Sequence, residues 1–550
     1  MNALKRGEKD SKKKSYLGRS IALTAAQSSG YFPEKELFRV KIKKFLGTTV
    51  AIAVVMSSAM AVSAHADNAA PKGDLILERN QDFSTFNPDL AQNDSIFIQQ
   101  QIFEPLFMIN QDGKSVKPWL AKSGTVGADK LTWTIKLRTD IKFSNGTPMT
   151  SADVKFSIDT AEKGSGWGFL LTQIATVTAP TPDTVIIKTK SPWAPMLSDL
   201  ACFSNAILPA NYGGLTAAAF FKAPVGTGPF TLQSWTPGTD VKFVANKTYW
   251  QPGKPYLNSV DWRYVPDDNT RALDLQSGQS DINEFPPSTA FAQALNTPGV
   301  TGKAFPAAAS EYLAMNEKVP ALSDVHVRRA LSYALDRKSI IKVVLAGYGT
   351  ASNSIMAPNV GFYDAKTPGI QYDLKKAVAE LKLSKKYSKG LKLTYLSTAG
   401  SVEDSAISSI FQAALKKIGI ALTVKTQEPK VKRVTQKAMN YDITSTAWTM
   451  DISDPDELMT FALNPVEGGT SDFYTNYNNS KVVAAVKLGQ TSVDPKIRQK
   501  AYSTAQTLTA NEAMMMYVYN YPYIYTWSKK ITGFQVTPTL QYHMEEVKKN

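Results

Sequence analysis

The chain predicts an α/β fold of helices and strands wound into a sheet, spread over two or three domains. Three observations carry this. The chain has 550 residues, more than one hydrophobic core can organise, since single cores stop growing near ~250–300 residues. Segments of period-two alternation are interleaved with segments of helical period along the whole sequence. Finally, one helix-to-strand step can be read residue by residue: Ile407, Ile410, Phe411, Ala414 and Leu415 recur at helical spacing, Gly419 ends the helix, and a strand follows at 421–425. No segment of ~20–50 residues repeats, and no low-complexity linker divides the chain.

In chain order, a strand is expected at 75–79 and another at 131–137. Asn145-Gly146 marks a turn, Thr150 with Asp153 spells a capping box, and Val154 with Ile158 continues a short helix. A strand follows at 184–189. Gly226 and Gly228 give backbone freedom before Pro229, and strands at 230–235 and 241–245 flank a Pro237-Gly238 turn. The Gly-Thr-Gly is no phosphate loop, because no Lys-Ser/Thr follows and a strand stands where a helix is needed. In 324–337, Asp324 caps a helix whose Val327, Ala330, Leu331, Ala334 and Leu335 form one apolar stripe, with Arg328, Arg329, Asp336 and Arg337 mostly off it. Helices at 374–381, 402–418, 481–490 and 495–510 and a strand at 391–396 complete the pattern.

The N-terminal region predicts export. Lys41, Lys43 and Lys44 precede the apolar run 45–56, and Ala64-His65-Ala66 suits a cleavage site, so a signal peptide of about 40–66 leaves a mature chain starting near Asp67. Thr48, Thr49, Ser57 and Ser58 interrupt the run, which falls short of the ~20 apolar residues of a membrane span. No cysteine follows it, so no lipid anchor is expected. The polar stretch before Val40 is unusual for a signal peptide, so translation begins either at Val40 or, giving a long leader, at Met1. Residues 1–66 carry 12 basic and 4 acidic residues, so +8 of the net +15 belongs to the leader and the mature chain keeps +7. The remaining charge is dispersed. The local cluster Lys425, Lys430, Lys432 and Arg433 is read as a solvated face, and no nucleic-acid partner is expected.

Cys202 is the only cysteine, which excludes an internal disulfide and a cysteine metal site. After the leader only His326 and His543 remain, and neither HExxH nor GxSxG occurs. No catalytic residue, metal site or cofactor is expected.

Several phrases resemble segments of one family in the family's order. They are IFEPLF at 102–107, FSNGTPMTSADVKFSI at 143–158, VGTGPF at 225–230, NKTYW at 246–250, DVHVRRALSYALDR at 324–337, WTMDISDPDELM at 448–459 and ITGFQVTP at 531–538. They are similar to the large solute-binding proteins of ABC importers, the family of oligopeptide-, dipeptide- and nickel-binding receptors. The resemblance implies a bilobed, periplasmic-binding-protein-like fold of type II. Lobe I would comprise 67–112, 225–319 and 530–550, an inserted domain 113–224, and lobe II 320–529.

The resemblance also implies a ligand enclosed between lobes, with Asp451 of Trp448-Thr449-Met450-Asp451 accepting from the ligand's α-ammonium; an enclosed cation needs a charge-assisted acceptor. The competing structural role for Asp451 is a turn cap, open also to Asp454 and Asp456. Trp448 and Met450 would offer an apolar, adaptable wall. Further contacts are expected from Thr449, from Ser95 in the loop 86–97, and from Tyr474. The dipeptide receptors place an arginine for the ligand's carboxylate after the strand at 391–396, but this chain reads Ser397-Thr398-Ala399-Gly400 there. The expected function is a monomeric periplasmic or secreted receptor that captures a peptide or amine-bearing solute by hinge closure and delivers it to a permease pair with a separate ATPase. The alternatives are an exported hydrolase, a receptor for a sugar, opine or metal chelate, and a receptor feeding a sensor.

Overall fold

The computed structural model describes residues 72–92, 94–467 and 471–550. The expected leader and its cleavage site lie outside these residues. Among the described residues no helix is long and apolar enough to cross a membrane.

One mixed sheet runs through the molecule. Its strands in spatial order are Ala421–Gln427, Lys392–Thr398, Ile443–Thr449, Val300–Met315, Met515–Ser528, Ile282–Glu284, Asp74–Arg79, Ser259–Tyr264, Asp240–Ala245 and Phe230–Thr236. The first three run parallel, as in wound α/β sheets, with the helix Val402–Lys417 connecting Lys392–Thr398 to Ala421–Gln427. Ile407, Phe411, Ala414 and Leu415 of that helix are buried and Gly419 adopts φ +79°, as the spacing predicts.

The two central strands join the lobes. Val300–Met315 and Met515–Ser528 pair antiparallel from Val300 opposite Ser528 to Ala314 opposite Met515. Midway, Pro306 faces Pro522 and the register shifts before pairing resumes at Ser310 and Asn520. Neither proline has an N–H to donate, so the ladder is weakened in both strands at one level. The cores change at that level. Phe305, Tyr523 and Tyr525 belong to one cluster, Leu313, Met516 and Val518 to another, and Tyr521 packs against both. The two strands thus pass from one hydrophobic cluster to the other at this level.

A separate antiparallel sheet, Ala121–Val126, Thr132–Leu137, Thr184–Thr189 and Ile174–Thr181, packs Trp133, Ile135, Val185 and Ile187 on Val154 and Ile158 of the helix Ser151–Glu162. The capping box forms, with the Thr150 amide on Asp153 Oδ2 at 2.7 Å. Gly226 and Gly228 serve a purpose other than the expected backbone freedom. A Cβ on Gly226 would stand 2.0 Å from the Ile102 carbonyl oxygen, and one on Gly228 2.5 Å from that of Gln101. They permit close approach of two backbones.

The stripe Val327, Ala330, Leu331, Ala334 and Leu335 is fully buried, and Asp324 caps His326 at 2.9 Å. The segment breaks into two helices, Val325–Tyr333 and Arg337–Val344, the second capped by Asp336. Two arginines expected off the stripe are buried. Arg328 donates to the carbonyls of Leu322, Glu512 and Ala513, and Arg337 to those of Tyr517 and Ile370. Glu512 and Ala513 follow the helix Pro495–Asn511; backbone amides take the carbonyls of Leu508, Thr509 and Ala510, and the five-donor guanidinium of Arg328 satisfies the two just beyond the helix. Lys432 is likewise buried and not on a solvated face, because its ammonium is held by Asp404 at 3.3 Å.

Candidate functional site

The strand Ile443–Thr449 ends where the two lobes meet. Met450 returns to the sheet through its amide, which donates to the Ala308 carbonyl at 2.9 Å, and its side chain is buried in the second lobe's core. Trp448 is half-buried, its ring 4.7 Å from that of Phe461 and 5.6 Å from that of Phe473, while its buried Nε1 has no hydrogen-bond partner. Thr449 is half-buried opposite Ala309.

Asp451 follows at the strand's end, half-buried. Its amide donates to Glu457 Oε2 at 3.1 Å, and the two carboxyl groups are hydrogen-bonded to each other. Burial pushes the Asp451 carboxyl up to about 7, and burial together with the neighbouring Asp451 raises Glu457 well above the carboxylate range. Two acids this close cannot both ionise cheaply, so they share a proton. Among the described residues no lysine, arginine or histidine forms an ion pair with Asp451. The capping role belongs to Asp454, which accepts from the Asp456 amide at 3.0 Å and from Arg498 at 2.7 Å.

The opposite wall comes from the first lobe and the inserted segment. Asp451 acts on the buried Cys202 thiol and the Tyr523 hydroxyl, adding to the burial that raises both. Ser198 Oγ lies 2.8 Å from Ser453 Oγ, and the Ala194 amide donates to the Gln490 carbonyl at 2.9 Å. The two halves are thus in contact around Asp451.

One of the two remaining expected contacts, Ser95, points elsewhere. The Ser95 hydroxyl is taken by Ser84 and by the amides of Ser84 and Thr85, which fold the loop 86–97 back on itself. The Tyr474 backbone carbonyl accepts from Tyr441 Oη, while its ring lies 6.0 Å from that of Phe473, which packs on Trp448. Glu457, Cys202 and Tyr523 escaped the sequence reading. Glu457 stands six residues beyond Asp451 and could have been found as a second acid on a short helix; Cys202 and Tyr523 come from distant chain segments and carry no local signal.

Residues 115–470 match the family model for bacterial extracellular solute-binding proteins, family 5, middle region. The chain is 29% identical over 496 residues to the glutathione-binding protein GsiB of Escherichia coli strain K12, covering 86% of this chain and 94% of that one. Its fold is similar to that of HbpA2 from Haemophilus parasuis, with a TM-score of 0.79 at 22% identity over 87% of this chain and 100% of the other. It is also similar to the periplasmic binding protein DppA from Helicobacter pylori, solved in complex with the peptide STSA, with a TM-score of 0.71 at 23% identity over 87% and 98% of the two chains.

Proposed function

The chain belongs to the bacterial extracellular solute-binding proteins of family 5, and from that membership we propose that it captures a peptide or amine-bearing solute between its lobes, with Asp451 accepting the ligand's ammonium. One observation carries the reading: a carboxyl enclosed at the meeting of two lobes, its pKa raised by burial, beside a second acid and with no protein cation paired to it among the described residues. An ammonium would supply the missing countercharge, and charge-assisted hydrogen bonds strengthen as water is excluded. The glutathione named for the 29%-identical relative carries such an α-ammonium.

Capture works by closure. The opposed prolines Pro306 and Pro522 mark the level at which the two crossing strands can bend, and the contacts Ser198 to Ser453 and Ala194 to Gln490 form only when the lobes approach. A ligand touching both lobes favours the closed form by its differential affinity for it. The closed, loaded chain is delivered outside the cytoplasmic membrane to a permease pair served by a separate ATPase, and the solute leaves unchanged.

The test is mass spectrometry of solute released from the purified chain, followed by titration calorimetry with the identified compound. An amine-bearing solute that rebinds saturably and is recovered intact supports the proposal. A ligand without a cationic group, or one converted to product, defeats it.

A further inference from the structure

We infer that the enclosed site holds its ligand by a second cation as well, so that the solute is dicationic, a basic dipeptide. This rests on reading Asp451 as the acceptor of the first ammonium.

The sheet's register places the second acceptor. Alternate residues of a strand share a face, so Ser445, Ala447 and Thr449 do. Thr449 stands opposite Ala309 and Ala447 opposite Glu311, and Glu311 in turn stands opposite Tyr519. Along Met515–Ser528, Tyr519, Tyr521 and Tyr523 share a face. Tyr521 Oη lies 2.6 Å from Glu311 Oε2 and 3.0 Å from Glu403 Oε1, and Tyr519 Oη also reaches Glu403 Oε1. One pleat further, Tyr523 sits beside Thr449 and Asp451. Four residues separate Asp451 from Ala447, the neighbour of Glu311, so at ~3.3 Å per residue the two acidic stations stand roughly 13 Å apart along the strand.

Among the described residues no cation forms an ion pair with Glu311 or Glu403. Lys432 lies nearest, but Thr398 Oγ1 at 2.9 Å, Asp404 Oδ2 at 3.3 Å and Ser445 Oγ at 2.6 Å occupy its three ammonium hydrogens. Lys432 therefore neutralises Asp404, which also accepts from Tyr395 Oη. Tyr521 has one hydrogen for two carboxyl groups. Glu311 is buried at 6% exposure, and Glu403 is half-buried in the first turn of Val402–Lys417. Between the stations lies the Tyr523 hydroxyl, on a residue 7% exposed and beside the Thr449 side chain. The face therefore presents acid, hydroxyl, acid.

Burial raises Glu311 and Glu403, with Glu403 adding to Glu311 and Asp404 to both, while Tyr519, Tyr521 and Lys432 pull the other way. Burial and mutual proximity favour the protonated form of these acids, and an arriving ammonium would favour the ionised form.

The test titrates the purified chain, stripped of co-purified solute, with alanyl-lysine, alanyl-alanine and alanyl-glutamate at pH 7.5 in two buffers of different ionisation enthalpy. Alanyl-lysine should bind at least ~10-fold tighter than alanyl-alanine and release more protons. In Glu403→Gln, and in Glu311→Gln, which both keep the tyrosine hydrogen bonds, that ratio should fall toward one in a chain with unchanged circular dichroism. If alanyl-alanine binds, and is weakened by Asp451→Ala, but alanyl-lysine binds no tighter, the second cation is wrong while Asp451 keeps its role. If alanyl-alanine and alanyl-lysine both bind and Asp451→Ala weakens neither, or if no dipeptide binds, the amine reading falls and this inference with it.

Discussion

Asp451 and Glu457 share one enclosed corner at the end of the strand Ile443–Thr449, the amide of the first donating to Oε2 of the second at 3.1 Å. Six residues apart in sequence, they put two carboxyl groups where the second lobe meets Cys202 and Tyr523. Among the described residues no lysine, arginine or histidine forms an ion pair with either carboxyl.

Asp451→Ala should cost about 3–5 kcal/mol of ligand binding, several hundredfold or more in Kd, the range for breaking a buried ion pair. Folding should survive, because Asp454 and not Asp451 holds the following turn. Calorimetry on a folded variant with near-normal affinity would remove Asp451 from the site.

Affinity should also depend on pH, with a sign set by the raised carboxyl. Asp451 titrates at about 7 when the site is empty, so below that pH a ligand ammonium must displace a proton. Binding should weaken by up to tenfold per pH unit below 7 and level off above it until the ligand's own amine deprotonates. Stability of the empty protein runs the opposite way. A carboxyl whose folded pKa lies above its ordinary 3.8 contributes stability at low pH that is lost as pH rises toward 7. Asp451→Asn should therefore gain on the parent, by on the order of 2 kcal/mol, between pH 4 and pH 8 in parallel urea melts. A constant difference across that range contradicts the assignment.

Closure can be trapped. Ser198 and Ser453 bring their hydroxyl oxygens to 2.8 Å across the lobes, so Ser198→Cys with Ser453→Cys should form a disulfide under mild oxidation. The cross-linked chain should exchange ligand far more slowly than the parent, and a reductant should restore exchange. Unchanged exchange in a fully oxidised sample would separate this contact from gating.

Arg328 ties the carbonyls of Leu322, Glu512 and Ala513 together from a buried position. Arg328→Ala leaves these acceptors unsatisfied and opens a void, a loss of about 3 kcal/mol or more in urea denaturation. Ligand affinity of the folded fraction should be unchanged, since these contacts lie away from Asp451.

Much of the fold was legible because its signals are local. The capping box at Thr150 and Asp153, the stripe through Val327, Leu331 and Leu335, and the glycine stop at Gly419 each depend on residues within about two helical turns, where backbone geometry decides the outcome. Trp448 to Asp451 was legible as a phrase. Its neighbours were not, because Cys202 and Tyr523 reach Asp451 over some 250 and 72 residues of chain.

The sequence by itself determined the alternation of helices and strands, the family and the acid at the end of Ile443–Thr449. Only the tertiary structure decided which polar residues are inside. Arg328, Arg337 and Lys432 have the composition of a surface and the burial of a core, because each is satisfied by carbonyls or a carboxylate brought from elsewhere in the chain. Ser95, polar and in an expected site loop, is spent on its own loop. Hydrogen-bond satisfaction depends on partners that sequence spacing does not reveal. For the same reason the cation-poor corner at Asp451 and the second acid station at Glu311 and Glu403 emerge only once the two crossing strands have set their register.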